Sequence, residues 1–359
     1  MSEKIERLAQ WANGSRAYPL SIELGPTLRC NLHCLFCWRY GKKVEYGKEL
    51  TTEKYLEIIK EAKGMAVEEI KIIGGGEPFV RIDMVKIMEE VKSQGMRGYV
   101  CTNGVLFSEK IIEKLVNIGW DHIKISLHGA TEKTHDNLVK RPGSFKKIIH
   151  AVELFNEYKK KFSKNTPYIE FGFVLVKKNY KQVAEIIKLA SKINTQAVFI
   201  EPITVYTKTG SMLKLNKKEV DEFRGYAKKA LELAKKYGID SNLSNFVGSD
   251  LIEKTGNMQS EIKIDATSGK NKFLVAACFE PWYRMGIRND GVVCPCGFFD
   301  VDTKENVNEK SLKEIWFGDY FKKFRLKMLE NNLPDYCSKC CTTLVDNNRI
   351  IRNELEKVL

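Results

Sequence analysis

The strongest constraint on the fold is a regular alternation of short apolar strands with helical patterns between residues 18 and 201. Six segments rich in β-branched and apolar residues predict strands, and helical periodicity fills the intervals between them. Strands joined through helices pair in parallel with right-handed crossovers. Closed barrels of this type have eight units, so six units predict an α/β fold with an open (β/α)6 partial TIM barrel. The predicted strands are 18–24, 69–73, 98–101, 120–127, 168–176 and 197–201.

Helix caps and a polar interval organise the rest of the chain. Polar residues stand at four expected helix starts: Thr52, Ser108, Asn216 and Ser311. Residues 241–272 are rich in Ser, Asn, Gly and Lys, which predicts a linker or a substrate-facing loop. We therefore expect an N-terminal helix in 1–17, the barrel in 18–240, this interval, and a small cysteine-rich domain in 273–359.

Three cysteines follow the first predicted strand at the spacing C-x3-C-x2-C. One short loop can therefore bring Cys30, Cys34 and Cys37 to three corners of a cubane iron–sulfur cluster and leave the fourth corner open. Structural zinc prefers four protein ligands, and a disulfide framework belongs in an extracellular chain. We expect an iron–sulfur cluster at this loop, at the carboxyl end of a strand, where α/β folds place their chemistry.

A glycine run follows the second predicted strand. The absence of Cβ in Gly74, Gly75 and Gly76 lets a ligand approach the backbone closely. Glu77, which precedes Pro78, can accept a hydrogen bond from an ammonium group. Such a run also fits a tight turn. Its position about forty residues after the cysteine loop is what favours a ligand-binding role.

The cysteine loop and the 74–78 run together make the chain resemble the radical S-adenosylmethionine (SAM) superfamily. The aromatic Phe36 before the third cysteine also fits that family. The resemblance covers about residues 18–235 and implies a [4Fe–4S] cluster held by three cysteines plus SAM, and reductive cleavage of SAM to a 5′-deoxyadenosyl radical. Under this resemblance the residues expected to bind SAM are Phe36, Gly74, Gly75, Gly76, Glu77, Pro78, Thr102, Asn103, Ser126 and Arg141.

Other polar residues near the strand ends have less specific interpretations. Ser126 and Arg141 suit the SAM ribose and carboxylate, although Arg141 fits a turn before a proline equally well. Glu201, at the end of the sixth strand, can face substrate or SAM. His128 and His135 are interpreted as surface histidines. Cys101 is interpreted as a small packed hydrophobic residue.

A second group of cysteines lies near the C-terminus and resembles the shortened "twitch" form of the SPASM domain, which implies one auxiliary [4Fe–4S] cluster. Its expected ligands are Cys278, Cys294, Cys337 and Cys340. A four-cysteine set with a C-x2-C pair would satisfy zinc equally well. Cys296 and Cys341 are alternative ligands or hydrogen-atom donors, and are the only candidates for catalytic residues.

Four ligands would leave the auxiliary cluster without an open iron, so we expect it to carry electrons. This favours an oxidoreductase of the dehydrogenase or maturase type, acting on a peptide, protein or sugar-like substrate. Three alternatives stay open. They are an RNA- or cofactor-precursor-modifying radical enzyme, a redox-neutral epimerase with Cys296 or Cys341 as hydrogen donor, and a non-enzymatic iron–sulfur or zinc protein.

Composition limits the compartment and the partners. Ten cysteines without a recognisable signal peptide predict reduced thiols in a cytoplasm. The sequence has no run of 18 uncharged apolar residues, so we expect no membrane span. The formal charge of +13 is spread over polar helix faces, and no RNA-binding motif of the RRM type accompanies it, so nucleic acid is not expected as a partner. Expected partners are the substrate and a reductant such as flavodoxin or ferredoxin.

Overall fold

The computed structural model describes residues 1–40, 47–247, 271–296, 303–340 and 342–359. Cys341 and most of the expected linker, 248–270, lie outside the described residues. The strands are β1 Ser21–Leu24, β2 Glu69–Ile72, β3 Arg97–Thr102, β4 His122–Ser126, β5 Tyr168–Leu175, β6 Ala197–Pro202, β7 Asp240–Ser241, β8 Arg284–Ile287 and β9 Val293–Cys294. They form one sheet in the order β7-β6-β5-β4-β3-β2-β1-β8-β9.

The predicted partial barrel is confirmed, and its sheet extends beyond six strands at both edges. Strands β1 to β6 pair in parallel with their sequence neighbours, as strand–helix units require. Strand β7 adds to β6 at the boundary between the expected barrel, 18–240, and the expected linker, 241–272. Strand β8 pairs in parallel with β1, and β9 pairs antiparallel with β8. The hairpin of the cysteine-rich region is therefore continuous with the barrel.

The helices cover the outer face of this sheet and build the C-terminal region. They are α1 Glu3–Ala12, α2 Thr52–Gly64, α3 Met84–Ser93, α4 Glu109–Asn117, α5 Glu132–Val139, α6 Ser144–Lys161, α7 Val183–Lys192, α8 Lys208–Leu213, α9 Lys217–Tyr237, α10 Leu312–Phe317, α11 Asp319–Leu329 and α12 Thr342–Leu355. Ser108, Asn216 and Ser311 cap α4, α9 and α10 as predicted. Thr51 caps α2 instead of Thr52, whose hydroxyl donates to Asp83 Oδ2 at 2.6 Å.

The strands of the barrel have one apolar and one polar face. In β4, Ile123 and Ile125 are fully buried, whereas Lys124 and Ser126 alternate with them on the opposite face. Side chains alternate along a strand, so the apolar face packs against the helices and the other face lines the barrel interior. The interior is therefore a polar, partly accessible surface, which suits a ligand site.

A second apolar core joins the two ends of the chain. Ile5 and Leu8 of α1 pack with residues of the C-terminal region, including Phe279, Trp282 and Ile351. The expected N-terminal helix is present, and its apolar face is buried in the C-terminal core. Burial of this face attaches α1 to the cysteine-rich domain.

Candidate functional site

A cavity of about 430 Å³ lies at the carboxyl ends of the barrel strands. A parallel sheet brings all these strand ends to one edge, so residues distant in sequence converge there. The wall includes three cysteines and most of the residues expected to bind SAM, namely Cys30, Cys34, Cys37, Phe36, Gly74, Gly75, Gly76, Glu77, Thr102, Asn103 and Ser126. Pro78 and Arg141 are not part of this wall.

The cysteine loop is held against the end of α5. Two backbone hydrogen bonds of 3.1 and 2.9 Å join the loop to the last two residues of that helix. Arg141 is exposed, and its Nη1 donates to the Asn31 carbonyl oxygen at 2.8 Å, so this side chain braces the loop from outside the cavity. Burial, followed by the neighbouring thiols, raises the pKa of Cys34 to about 12. This thiol becomes a thiolate only when a bound cation displaces its proton.

The glycine run packs directly against the cysteine loop. Gly74 and Gly75 adopt φ values of 84° and 72°, in the left-handed region that favours glycine. A Cβ on Gly76 would collide with the Arg29 carbonyl oxygen. The Glu77 amide donates to the same oxygen at 2.8 Å. The two loops therefore form one cradle with exposed backbone, in which any side chain at Gly76 would occupy the space between them.

The Glu77 carboxylate ties this cradle to the end of β3. It is 2% exposed and accepts three hydrogen bonds, from the Thr102 hydroxyl at 2.6 Å, the Asn103 amide at 2.7 Å and the Phe79 amide at 3.1 Å. Asn103 Nδ2 in turn donates to Asn31 Oδ1 in the cysteine loop at 2.7 Å. Burial raises the pKa of Glu77, and these donors oppose that rise. Its carboxylate is thus used mainly within the chain rather than left free for a ligand.

Several wall residues, among them the following three, were not predicted as part of the site. Arg39 lies beside the thiols, Cys101 faces the interior from β3, and His128 follows β4. Cys101 is half-buried on the cavity wall, because strand alternation turns it to the barrel interior. The period-two pattern of β3 was the sequence signal that could have placed it.

His128 and His135 are buried, so the interpretation as surface histidines was wrong. They are 5% and 0% exposed. The His128 amide donates to His135 Nδ1 at 3.1 Å, and the Val174 amide donates to His128 Nδ1 at 3.2 Å. The ring of Phe36 meets His128 edge to face, with centroids 4.9 Å apart. Burial lowers the pKa to about 3 for His128 and about 4 for His135. Both rings are therefore neutral.

A second, smaller cavity in the C-terminal region is lined by four thiols. They belong to Cys278, Cys296, Cys337 and Cys340. Cys294 is 0% exposed, packs against Tyr336 and is not part of this wall. The chain leaves strand β9 at Cys294, which turns Cys296 rather than Cys294 toward the cavity. Burial raises the pKa of Cys278, and that of Cys337 to about 11.

Comparison with known proteins matches two family models to these two regions. The model of the radical SAM superfamily matches residues 24–190, and the model of SPASM, an iron-sulfur cluster-binding domain, matches 278–341. A probable GTP 3′,8-cyclase of Methanococcus maripaludis is 30% identical over 242 residues, which cover 63% of this chain and 75% of that protein. The chain belongs to the radical SAM superfamily. The resemblance inferred from the cysteine loop and the glycine run is confirmed.

Other relatives of this radical SAM protein differ in activity. The AdoMet-dependent heme synthase of Methanosarcina barkeri is 25% identical over 303 residues, covering 83% of this chain and 82% of that protein. The PqqA peptide cyclase of Rhizobium meliloti is 24% identical over 356 residues, covering 96% and 86%. Streptococcus suis SuiB bound to precursor peptide SuiA has a TM-score of 0.67 and 19% identity, covering 89% of this chain and 70% of that one. That likeness supports the fold.

As a radical SAM protein with a SPASM domain, the chain uses SAM and [4Fe–4S] clusters, one of them auxiliary. The thiol donors of both cavities suit these groups. The barrel cavity has three thiols from one loop beside the glycine run, and the C-terminal cavity, of about 30 Å³, has four thiols together with Glu280 and Tyr336 in its wall. Among the described residues, no helix has the length and apolar character needed to cross a membrane.

Acidification of this radical SAM protein is expected to lower its stability through the histidine pair. The folded state holds His128 and His135 neutral, whereas the unfolded chain takes up protons below a pKa of 6.5. Stability is therefore full above pH 6.5 and is lost as the pH falls, by about 1.4 kcal/mol per histidine per pH unit. Urea unfolding of the anaerobic protein at pH 7 and pH 5 should show a loss of about 4 kcal/mol from this pair.

A double variant, His128→Asn with His135→Asn, tests this origin, because the amide oxygen can still accept the backbone hydrogen bonds. The pH slope should flatten in this variant. The matched control is His150→Gln on α6, where the side chain is exposed and the slope should stay as in wild type. An unchanged slope in the double variant would assign the acid sensitivity to other groups.

Proposed function

We propose that this protein reductively cleaves SAM and uses the 5′-deoxyadenosyl radical to abstract hydrogen from a peptide, protein or small-molecule substrate, which is then oxidised through the auxiliary cluster. One observation carries the proposal. A single loop presents three thiols to a cavity whose wall also includes the glycine run packed against that loop, so a cubane held there has its fourth corner beside accessible backbone.

In this proposal Cys30, Cys34 and Cys37 are the cluster ligands of the barrel. The backbone of the 74–76 run receives the amino-acid part of SAM, because its glycines leave peptide groups accessible. Thr102 and Asn103 keep that run in place through Glu77. Ser126, at the end of β4, offers a hydroxyl to the ribose.

We propose Cys278, Cys296, Cys337 and Cys340 as the auxiliary ligands, with Cys296 in place of Cys294. The shared cavity supports this assignment. Asn348 Nδ2 lies 3.6 Å from Cys278 Sγ and can donate to that sulfur. Four protein ligands leave no open position, so the domain suits electron transfer more than substrate binding.

The barrel interior supplies a candidate acceptor for the proton that substrate oxidation releases. Glu201, at the end of β6, lies on the cavity wall. Lys124 Nζ, below it, is 3.3 Å from Glu170 Oε1. Burial lowers the pKa of Lys124, but Glu201 and Glu170 outweigh burial and raise it overall. We propose that Lys124 holds its positive charge beside Glu201 and that the Glu201 carboxylate accepts the proton.

The substrate class is proposed from the relatives. A peptide is favoured by the PqqA peptide cyclase, which matches nearly the whole chain, and by the fold shared with peptide-bound SuiB. A small cofactor precursor is the second candidate, because the GTP 3′,8-cyclase has the higher identity. We further propose a cytoplasmic site of action and a one-electron donor such as flavodoxin or ferredoxin, because ten cysteines need a reducing compartment.

The decisive test is metal content together with SAM cleavage. The anaerobically reconstituted protein should contain about eight irons and release 5′-deoxyadenosine from SAM under dithionite. The triple variant Cys30→Ala, Cys34→Ala, Cys37→Ala should keep about four irons and release none. Cys101→Ala is the matched control, because it removes a wall thiol outside the loop, and it should keep the full iron content. Deoxyadenosine release by the triple variant would contradict the proposal.

A further inference from the structure

Arg39, two residues beyond the third cysteine, places a guanidinium group on the cavity wall beside the thiols. Its Nη1 donates to the Leu28 carbonyl oxygen, and its Nη2 donates to the Tyr40 hydroxyl at 3.3 Å. Because these contacts lie within the segment that carries the cysteines, the positive charge is fixed relative to the thiols.

Tyr40 contacts the guanidinium and is itself held in place by His33. Their rings stack, with centroids 4.1 Å apart and planes at 23°. The Tyr40 hydroxyl lies 3.0 Å from His33 Nδ1 and 3.2 Å from the Leu32 carbonyl oxygen. This network restricts the rotamers of Arg39. The long side chain has therefore already lost its conformational entropy at the thiols before a ligand binds.

The wall contains no other arginine or lysine among the described residues. Arg141 braces the cysteine loop from outside. Arg29 is 62% exposed at its side chain and pairs with Glu49 at 3.1 Å. Glu77 and Glu201 are the carboxyl groups of the same wall. The positive charge nearest the three thiols within the cavity thus belongs to Arg39.

We propose that Arg39 sets the reduction potential of the cluster at this loop, because its positive charge opposes the negative charge gained on reduction. Net charge and hydrogen bonds to sulfur are the main determinants of cluster potential. The step is a one-electron reduction in which a flavodoxin- or ferredoxin-type donor loses one electron and no proton moves. Arg39 is a positioning residue, because it acts through the cluster, and the inference rests on the proposed function.

The test compares Arg39→Gln, Arg39→Lys and the matched control Arg29→Gln in the reconstituted enzyme. Addition of SAM perturbs the EPR signal of the cluster at the cysteine loop, which distinguishes this signal from that of the auxiliary cluster. An EPR-monitored redox titration without SAM then follows the signal of the cluster at the loop. Arg39→Gln should lower the reduction equilibrium constant about tenfold, which is about 59 mV for one electron. Arg39→Lys keeps the charge and should retain most of the potential, and Arg29→Gln should match wild type.

An unchanged potential in Arg39→Gln would overturn the inference, and weaker SAM binding alongside it would make Arg39 a SAM ligand instead. Arg39→Met repeats the measurement if Arg39→Gln does not retain iron. Failure of both neutral variants to hold the cluster would also overturn it, because Arg39 would then serve cluster retention. A wild-type protein without any SAM-sensitive cluster signal would refute the proposed function itself.

Discussion

Replacing Glu77 by glutamine is expected to destabilise the protein by about 2–4 kcal/mol, because a buried carboxylate with three donors loses its charge and one acceptor oxygen. The amide nitrogen of glutamine would face either the Asn103 amide, which cannot accept it, or the Phe79 amide and the Thr102 hydroxyl, of which only the hydroxyl can accept it. The glycine cradle should shift with the lost contact to β3, so SAM binding should weaken as well. Urea unfolding and isothermal titration with SAM measure the two effects.

The control for this change is Glu153→Gln, an exposed glutamate on α6. Surface substitutions of this kind change stability by less than about 0.5 kcal/mol, so the control separates loss of a charge from loss of the buried network. Wild-type stability in the Glu77→Gln variant would mean that the three hydrogen bonds contribute little.

Replacing Arg284 by methionine is expected to cost about 3–5 kcal/mol, because it removes the arginine that is paired with two buried carboxylates. Arg284 lies on β8 and is 9% exposed, with Nη1 at 3.0 Å from Glu23 Oε2 on β1 and Nη2 in an ion pair with Glu280. Glu23 and Glu280 are 3% and 1% exposed. The network spans the pairing of β1 with β8, so its loss should loosen the C-terminal region from the barrel. Limited proteolysis together with urea unfolding tests both consequences.

The loss of stability in the Arg284→Met variant should depend on pH and on the Glu23 carboxylate. Burial raises the pKa of Glu23, and Arg284 opposes that rise. Without Arg284 the folded pKa rises further above its unfolded value, so the variant should be least stable at high pH and recover as the pH falls. Glu23→Gln added to Arg284→Met should restore part of the loss. The exposed control Arg97→Met, whose ion pair with Glu68 spans 3.7 Å, should cost less than about 1 kcal/mol.

Features formed by residues close together in sequence were predictable from the sequence alone. The three cysteines of the barrel lie within eight residues, so their spacing brings them to one loop whatever the fold around them. The caps at Asn216 and Ser311 formed because each is completed by a glutamate three residues later. The period of apolar residues set the strand–helix order, and handedness then limited the topology to a parallel partial barrel.

Choices between alternative residues depended on the tertiary structure. Cys294 and Cys296 differ by two positions, and only the end of β9 turns Cys296 toward the thiols from the distant C-terminal loop. Arg141 was the arginine expected to bind SAM, yet Arg39 is the arginine on the cavity wall. Sequence spacing cannot separate such pairs, because side-chain direction depends on where a strand ends and on what packs against it.

The sequence by itself determined the chemistry that this chain can support: a three-cysteine loop, a glycine run, a second cysteine set and six strand–helix units. The tertiary structure decided which side chains meet. It buried His128 and His135, used Glu77 as a brace, and added β8 to β1 across most of the chain length. The physical reason is that local patterns fix backbone conformation, whereas burial and charge pairing depend on contacts between distant segments.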